Sequence, residues 1–587
     1  MRPLPDLGLV ERPVAEWREP TRLAALVFRL KVTLLQARRG AQNLVADLPR
    51  HGSGEPRDYP LILAESSTRL WSDPHPGERA MQLGKVQNLR AALRRLDRIA
   101  LGENALFSFW RQIGRATTRR GFVAGRMLQQ GCLVPATGGG LCQLSNALYE
   151  VALQAGCEIV ERHAHSRVVP GSAAAFGRDA TVAWNYVDLR FRAKQPLLLE
   201  ARLTRDALVL RLRGRQAATP ELVAPPIDLP LSARSCASCN ETSCFRHETP
   251  PALVPAARKA YLLDENWPEI RHYLAETRSK EDVIGIPLDG RRWRLDRYRW
   301  PTEGVAGVET ASLATLRRTL ALRRARPQGP ERRLAEIDGA ARIARRLGRL
   351  LSAEITEAVV AQSLLPTLWR DGLLGGRGFS VVMTRLPMAA LQARLDDAAR
   401  HHPERATLSD FRAPATLVEA EAEALAAADH VVTPHREIAA LFPGRAVLLD
   451  WVQPAPMPRA SQPPRRIAFP GPSIARKGAY ELRAALDGLD IELLLLGNDL
   501  EGADFWRGCR VIRPGGGAWT EMVAAVVQPA LVEERPRALL AALAAGLPVI
   551  ATAACGLAAG PGLTLVPTLD AEALRRAILR CLASRPA

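Results

Sequence analysis

The stretch Gly138-Gly-Gly-Leu-Cys142-Gln-Leu-Ser-Asn-Ala-Leu-Tyr149 joins three consecutive glycines to a segment whose Leu141, Leu144, Leu148 and Leu153 are spaced for one buried helical face. Cys142 thus falls at or near a helix N-terminus, where unpaired N–H groups and the positive end of the helix dipole favour thiolate over thiol. A nucleophilic thiol needs a base. His163 and His165 follow in Glu161-Arg-His-Ala-His-Ser166, and the lead-in Glu158-Ile-Val160 predicts a strand that turns both rings to one face. Asp179, Asn185 and Asp188 are candidates to orient the imidazole, which completes the set that thiol catalysis requires. The same residues also suit a core cysteine beneath a glycine turn, with histidines satisfied by the backbone.

Two further clusters carry chemistry. Cys236, Cys239, Cys244 and His247 lie within twelve residues flanked by prolines. This spacing lets a tight knuckle gather a tetrahedral Cys3His zinc site, or hold an iron–sulfur cluster in its place; incidental reduced thiols in a flexible linker are the alternative. Lys477 beside Gly478 at a helix start combines a point charge with free N–H groups, which suits phosphates.

The elements that must position these residues change character along the chain. Residues 20–39 predict an amphipathic basic helix capped by Thr21, with Leu23, Leu26, Val27, Leu30 and Leu34 facing either lipid or the protein itself. Residues 50–60 read as a loop, a basic helix follows around Leu83 to Leu96, Asn104 to Trp110 reads as a strand, and Asp206 to Gly214 alternates as a final strand. A proline-rich link then leads into the Cys/His cluster. From residue 258 short apolar runs alternate with helical segments, among them Lys259–Glu265, Val431–Pro434, Ala446–Asp450, Arg466–Pro470, Ile491–Leu496, Arg510–Ile512, Ala524–Val527, Pro548–Ala551 and Leu563–Val566. That pattern predicts parallel sheets covered on both faces, in two Rossmann-like halves that part near 450–465.

The 587 residues suffice for several domains, and an apolar fraction of 47% excludes a disordered chain. The opening residues hold no long uncharged apolar run and no signal peptide with a small-residue cleavage site, and nine cysteines make no secreted disulfide framework; the expected compartment is the cytoplasm, at the inner face of the membrane if the basic helix binds lipid. The net charge of +19 is mostly arginine and suits phosphate-bearing partners such as nucleotide-sugars or anionic lipids. No specific nucleic-acid partner is expected, because aromatics are only 5% and no finger or RNP-type motif is present.

Gly138 to Tyr149, then Val160 to Ser166, Asp179 to Val182 and Asn185 to Phe191, resemble the VanW family in that order over roughly residues 60–215. The resemblance implies Cys142 as nucleophile and His165 as base, and some members of the family are cysteine-dependent L,D-transpeptidases. The C-terminal half resembles the GT-B glycosyltransferases of the glycogen-synthase-like, nucleotide-sugar-dependent kind. Phe469 to Gly478, with Arg476, Lys477 and Gly478, looks like the loop that holds the donor diphosphate. Pro529 to Thr552 looks like the donor-binding signature, in which Glu533 would contact the sugar. Ala541 stands eight positions after Glu533, where the family pairs a second glutamate, so Glu534 is the candidate for ribose. Pro472 replaces an expected arginine.

The expected architecture is multidomain: an N-terminal helix and loop (1–59), an α+β VanW-like domain (60–215), a linker with the Cys/His knuckle (216–257), and an α/β GT-B fold of two Rossmann-like halves, for acceptor (258–455) and donor (456–587). The resemblance implies transfer of sugar from a nucleotide-sugar to a glycan or lipid-linked acceptor of the cell envelope. A thiol acyltransferase or amidase with a non-catalytic GT-B half, and a non-catalytic binding scaffold, are the alternatives.

Overall fold

A computed structural model of the chain describes residues 21–46, 48–71, 78–129, 132–164, 179–217, 234–235, 243–245, 258–514 and 518–583. Two compact units form, one of Met1–Ala257 with Ser352–Thr356 and Asp371–Arg377, the other of the remainder.

The first unit is α+β. Its strands are β1 (Leu61–Arg69), β2 (Ile99–Leu101), β3 (Leu106–Ser108), β4 (Ala124–Gln129), β5 (Cys132–Thr137), β6 (Glu158–Glu161), β7 (Arg190–Arg192), β8 (Leu197–Leu203), β9 (Ala207–Gly214) and the short β10 (Arg234–Ser235). They build an antiparallel sheet in the order β1-β9-β8-β2, a second antiparallel sheet β3-β7-β6, and a sheet β10-β5-β4. The alternation expected in the last strand is present: Leu208, Leu210 and Leu212 are buried, while Arg211 reaches Glu65 across the other face at 2.7 Å. Helix Leu141–Gln154 packs on this sheet through Leu141, Leu144, Leu148 and Val151. Leu153, expected on that face, is only partly buried, because it stands five residues beyond Leu148 and Val151 takes the i+3 place. The strand expected at Asn104 to Trp110 is cut short at Ser108, whose hydroxyl accepts from the Arg111 N–H at 3.3 Å and caps a short helix, Phe109–Ile113.

Close backbone approach at three glycines packs β4 against the turn after β5 and against the preceding helix, Arg79–Leu93. A Cβ on Gly139 would lie 2.2 Å from the Gly125 carbonyl oxygen, one on Gly125 would lie 2.6 Å from that of Gly139, and one on Gly84 would lie 1.8 Å from that of Ala124. Asn88 locks the approach: its Nδ2 donates to the carbonyls of Gly139 at 2.9 Å and Val123 at 3.0 Å, and its Oδ1 accepts from the Val123 N–H at 2.8 Å.

The N-terminal helix spans Arg22–Val45, longer than expected, and Thr21 caps it by accepting from the Ala24 N–H. Its C-terminal part is tied down by Gln36 to the Trp184 carbonyl and by Arg39 to Glu161, whereas Leu23, Leu26, Val27, Leu30 and Leu34 stay exposed. No helix among the described residues is long and apolar enough to cross a membrane.

The second unit holds two parallel sheets. The first comprises β11 (Arg258–Leu262), β12 (Val283–Ile286), β13 (Gly307–Thr310), β14 (Ile355–Ala361), β15 (Gly378–Val382), β16 (His430–Thr433) and β17 (Ala446–Leu448), in the order β13-β12-β11-β14-β15-β16-β17. The second comprises β18 (Arg466–Phe469), β19 (Glu492–Leu495), β20 (Arg510–Ile512), β21 (Ala525–Gln528), β22 (Val549–Thr552) and β23 (Leu563–Val566), in the order β20-β19-β18-β21-β22-β23. Both are doubly wound, so the chain reverses direction across the sheet once in each. This is the pair of Rossmann-like halves that the C-terminal pattern predicts. Four of the seven strands in the first sheet, β12 to β15, carry no counterpart among the apolar runs singled out in the sequence.

Replacing Asn88 by Ala leaves the buried Gly139 carbonyl and the Val123 N–H without their partner, while the Val123 carbonyl keeps the Gly138 N–H. Since each such loss costs about 1–3 kcal/mol, urea unfolding followed through the first unit should shift by several kcal/mol; a shift below about 0.5 kcal/mol contradicts the role given to Asn88.

Candidate functional site

In a doubly wound sheet, the loops after the two strands at the switch point diverge and leave a crevice at the carboxyl ends. In the first sheet those strands are β11 and β14, and their loops bring Asp264 and Glu265 beside Gln362 and Ser363. Ser363 Oγ donates to Asp264 at 2.7 Å, and Arg318 grips the same carboxylate with two N–H groups at 2.9 and 3.2 Å while a further bond joins it to the Tyr298 hydroxyl at 2.9 Å. Burial opposes ionisation of Asp264, yet Arg318 outweighs it and holds the carboxyl below its ordinary value.

In the second sheet the switch-point strands are β18 and β21. The loop after β18 ends at Gly478, whose φ is +83° and whose Cβ would lie 2.1 Å from the Pro529 carbonyl oxygen in the loop after β21. Only glycine allows the two loops to meet there. Lys477 Nζ donates to Glu533 at 2.9 Å, Gln528 donates to the same carboxylate, and the Arg535 N–H donates to its other oxygen at 2.8 Å. Burial works against the charge on Glu533, and Lys477 more than offsets it, so the carboxyl titrates below its usual range. His435, at the end of β16, donates Nε2–H to the Glu533 carbonyl at 3.0 Å, and its burial lowers its pKa so that the ring stays neutral.

A cavity of about 320 Å³ lies at the first switch point, lined by Asp264, Ser363, Arg385 and Glu421 from the first half and by Glu534 and Arg535 from the second. Here the structure differs from expectation in one respect. Glu533, expected to face the sugar, is turned inward and enclosed by its three donors, and Lys477, expected to reach a diphosphate, is buried with it. Glu534 is the acid that lines the cavity, where Arg385 Nε donates to it at 3.0 Å. Arg476 stacks over Phe411 at 5.3 Å, and its carbonyl accepts from the N–H groups of Leu531 and Val532. Asp264, Arg318, Arg385 and His435 were not among the residues singled out from the sequence; the only signal was an acid pair closing an apolar run and a histidine just past another.

In the first unit Cys142 is the second residue of helix Leu141–Gln154, half-buried, with its thiol 3.7 Å from the Thr181 hydroxyl and 3.9 Å from the Val182 carbonyl. Segment 179–182 is held across the helix start because Asn146 accepts from the Ala180 N–H at 2.8 Å and Ser145 donates to the Ala180 carbonyl. The strand expected to carry both histidines ends at Glu161, since the Arg162 side chain turns to the Asp179 carbonyl and carboxylate at 2.7 and 2.9 Å. His163 therefore lies past the strand, its ring 3.3 Å from Glu161 and largely in solvent; His165 lies outside the described residues. Asp179 is bound by Arg162. Asp188 is bound by Ser108 at 2.7 Å, the Trp110 and Leu189 N–H groups and Arg190 at 2.9 Å, a turn-building role. Asn185 bonds the N-terminal helix through the Gln36 carbonyl. Tyr186, not anticipated, has its hydroxyl pKa raised by burial and then by the neighbouring Cys142.

Of the knuckle, Cys236, Cys239 and His247 lie outside the described residues, and Cys244 is buried. Among the described residues no group of three or more His, Cys, Asp or Glu side chains is placed to hold a metal ion. The expected zinc or iron–sulfur site lies outside the described residues in three of its four ligands.

Lys477→Met would leave Glu533 buried without its main counter-charge, which is expected to lower the stability of this half by about 3 kcal/mol, whereas Lys477→Met with Glu533→Leu should recover most of the loss. The pair's contribution is present above the unfolded carboxyl pKa of about 4.3 and is lost as the pH falls through the lower folded value, so the wild-type and single-variant unfolding curves should converge in acid; a constant gap down to low pH would refute the assignment. For the thiols, burial pushes Cys157 and Cys555 up to about 12. Iodoacetamide at neutral pH should therefore alkylate half-buried Cys142 well before either, and equal labelling would argue against an accessible helix-start thiol.

The chain is similar to known proteins in two separate regions. The family model described as VanW like protein matches residues 84–213, and that described as Glycosyl transferases group 1 matches residues 481–584. Uncharacterized protein YoaR of Bacillus subtilis (strain 168) is 33% identical over 130 residues, 22% of this chain and 42% of that protein. Vancomycin B-type resistance protein VanW of Enterococcus faecalis (strain ATCC 700802 / V583) is 32% identical over 141 residues, 23% of this chain and 50% of that protein. The chain thus spans half or less of these curated relatives. Among solved structures, Anabaena HepE in complex with UDP and glucose covers 56% of this chain and 90% of its own at 14% identity and a TM-score of 0.33. The lipopolysaccharide outer core galactosyltransferase WaaB covers the same shares at 14% identity and a TM-score of 0.31. At those scores the description of the fold rests on the sheet orders above. The chain joins a VanW-like region, in its α+β unit, to a group 1 glycosyl transferase region in the second of two Rossmann-like halves.

Proposed function

We propose that the C-terminal unit is a glycosyltransferase that moves a sugar from a nucleotide-sugar to an acceptor lodged over the first sheet. The observation that carries this reading is the pairing of two switch points across one cavity: Asp264 and Ser363 on one side, Glu534 and Arg535 on the other. The start of helix Ala479–Leu486 provides N–H groups for a diphosphate, and the buried Lys477–Glu533 pair fixes the loop that leads into it. Glu534, at the cavity edge, is the acid placed to meet the donor's hydroxyl groups. In the transfer the acceptor hydroxyl oxygen bonds to the anomeric carbon as the bond from that carbon to the diphosphate oxygen breaks; the nucleoside diphosphate leaves with the electron pair, and the hydroxyl proton passes to the departing diphosphate or to water. The acceptor is a glycan or lipid-linked precursor of the cell envelope.

For the first unit we propose thiol chemistry at Cys142, with His165 as base, supported by the placement of the thiol at a helix start under segment 179–182. The N-terminal helix carries five basic and no acidic residues between Arg22 and Val45 beside its exposed leucines, and it would hold the protein at an anionic membrane surface on the cytoplasmic side.

Isothermal titration with nucleoside diphosphates tests the main reading. Nucleoside diphosphate is expected to bind, and Glu534→Ala should spare that affinity while lowering sugar transfer. An absence of binding at millimolar concentration would remove the transferase reading.

A further inference from the structure

The cavity over the first sheet is lined by six guanidinium groups, those of Arg297, Arg318, Arg332, Arg333, Arg385 and Arg535, and by the carboxyl groups of Asp264, Glu265, Glu336, Glu421 and Glu534. Their pairing is uneven. Arg318 holds Asp264 and Arg385 holds Glu534, but Glu265 is shared by Arg297 and Arg535, and Glu336 is shared by Arg333 at 3.3 Å and Arg332 at 3.8 Å. Glu421 is already taken by Gln362 Nε2 at 3.0 Å and the Met388 N–H, and burial pushes its pKa up, which makes it the poorest counter-charge of the five.

Arg333 feels the shortage most. It is only 8% exposed, stacks on Phe411 at 4.3 Å, and its Nε has no hydrogen-bond partner among the described residues. Burial, and then repulsion from Arg385, lower its pKa. A buried guanidinium with its Nε–H unpaired is costly unless an acceptor completes it.

We propose that this cavity receives the acceptor by a phosphate group, held by Arg332, Arg333 and Arg385 beside the Asp264–Ser363 switch point. The inference rests on the transferase reading and narrows its acceptor to phosphate-bearing molecules. A phosphate fits better than a neutral sugar because the six guanidinium groups outnumber the five carboxyl groups, two of which are each shared by two arginines, and phosphate oxygens accept from several forks at once. The donor's own diphosphate is the other source of such an anion, and the two are separable by experiment.

Glucose 1-phosphate and glucose are titrated into the whole chain, each alone and with millimolar UDP present. Glucose 1-phosphate is expected to bind at least about tenfold more tightly than glucose, to remain bound when UDP is added, and to lose about tenfold or more in affinity in Arg332→Gln with Arg333→Gln. Glu336→Gln, which removes the acid competing for both arginines, should tighten binding about threefold, an effect that a folding defect does not imitate. Equal affinity for the two sugars, displacement of glucose 1-phosphate by UDP, or unchanged binding in both variants overturns the proposal. UDP bound with glucose 1-phosphate ignored removes only this anion site, whereas glucose 1-phosphate bound without UDP removes only the transferase reading.

Discussion

The second Rossmann-like half is built around a buried ammonium–carboxylate contact, Lys477 to Glu533, made where the loops after β18 and β21 meet. Neither residue could stand there alone, because an uncompensated charge in a buried position costs several kcal/mol. The pair exists because Gly478 lets its own backbone touch Pro529, which brings the two loops within reach of each other. From that contact follow the anchoring of Gln528 and the Arg535 N–H on the same carboxylate, the seat of His435 against the Glu533 carbonyl, and the outward placement of Glu534. A residue predicted to touch ligand instead organises the ones that can.

The first half shows the opposite economy. The cavity beside it gathers many charges in place of one pair, tied into a network in which two carboxylates each serve two arginines. Such a network is only partly satisfied, and in a low-dielectric crevice this is where an anionic ligand finds the strongest field. Six of the chain's arginines thus meet at one place in the fold.

In the N-terminal unit, close backbone packing does the organising. Gly84, Gly125 and Gly139 remove the atoms that would keep β4, β5 and the preceding helix apart, and Asn88 satisfies the carbonyls so exposed. The helix that starts after Gly140 is then fixed, and Ser145 and Asn146 on it hold segment 179–182 over Cys142. The surroundings of the thiol are consequently set by residues one turn beyond it.

The sequence by itself determined the local facts: a helix beginning at Cys142, because glycines precede an apolar face of period 3.6; the alternating strand β9; the apolar strands β16 to β23; and a glycine turn beside Lys477. These depend on neighbours within a few positions and so can be read from them. It did not determine that β6 would stop before His163, because that follows from Arg162 finding Asp179 seventeen residues on. Nor did it determine that Glu533 would face inward and Glu534 outward, or that Asp264, Arg318, Arg333 and Arg385 would share one cavity. Each of those outcomes is a contact between residues tens to hundreds of positions apart, chosen by the order of strands in the sheet, and no spacing along the chain encodes it.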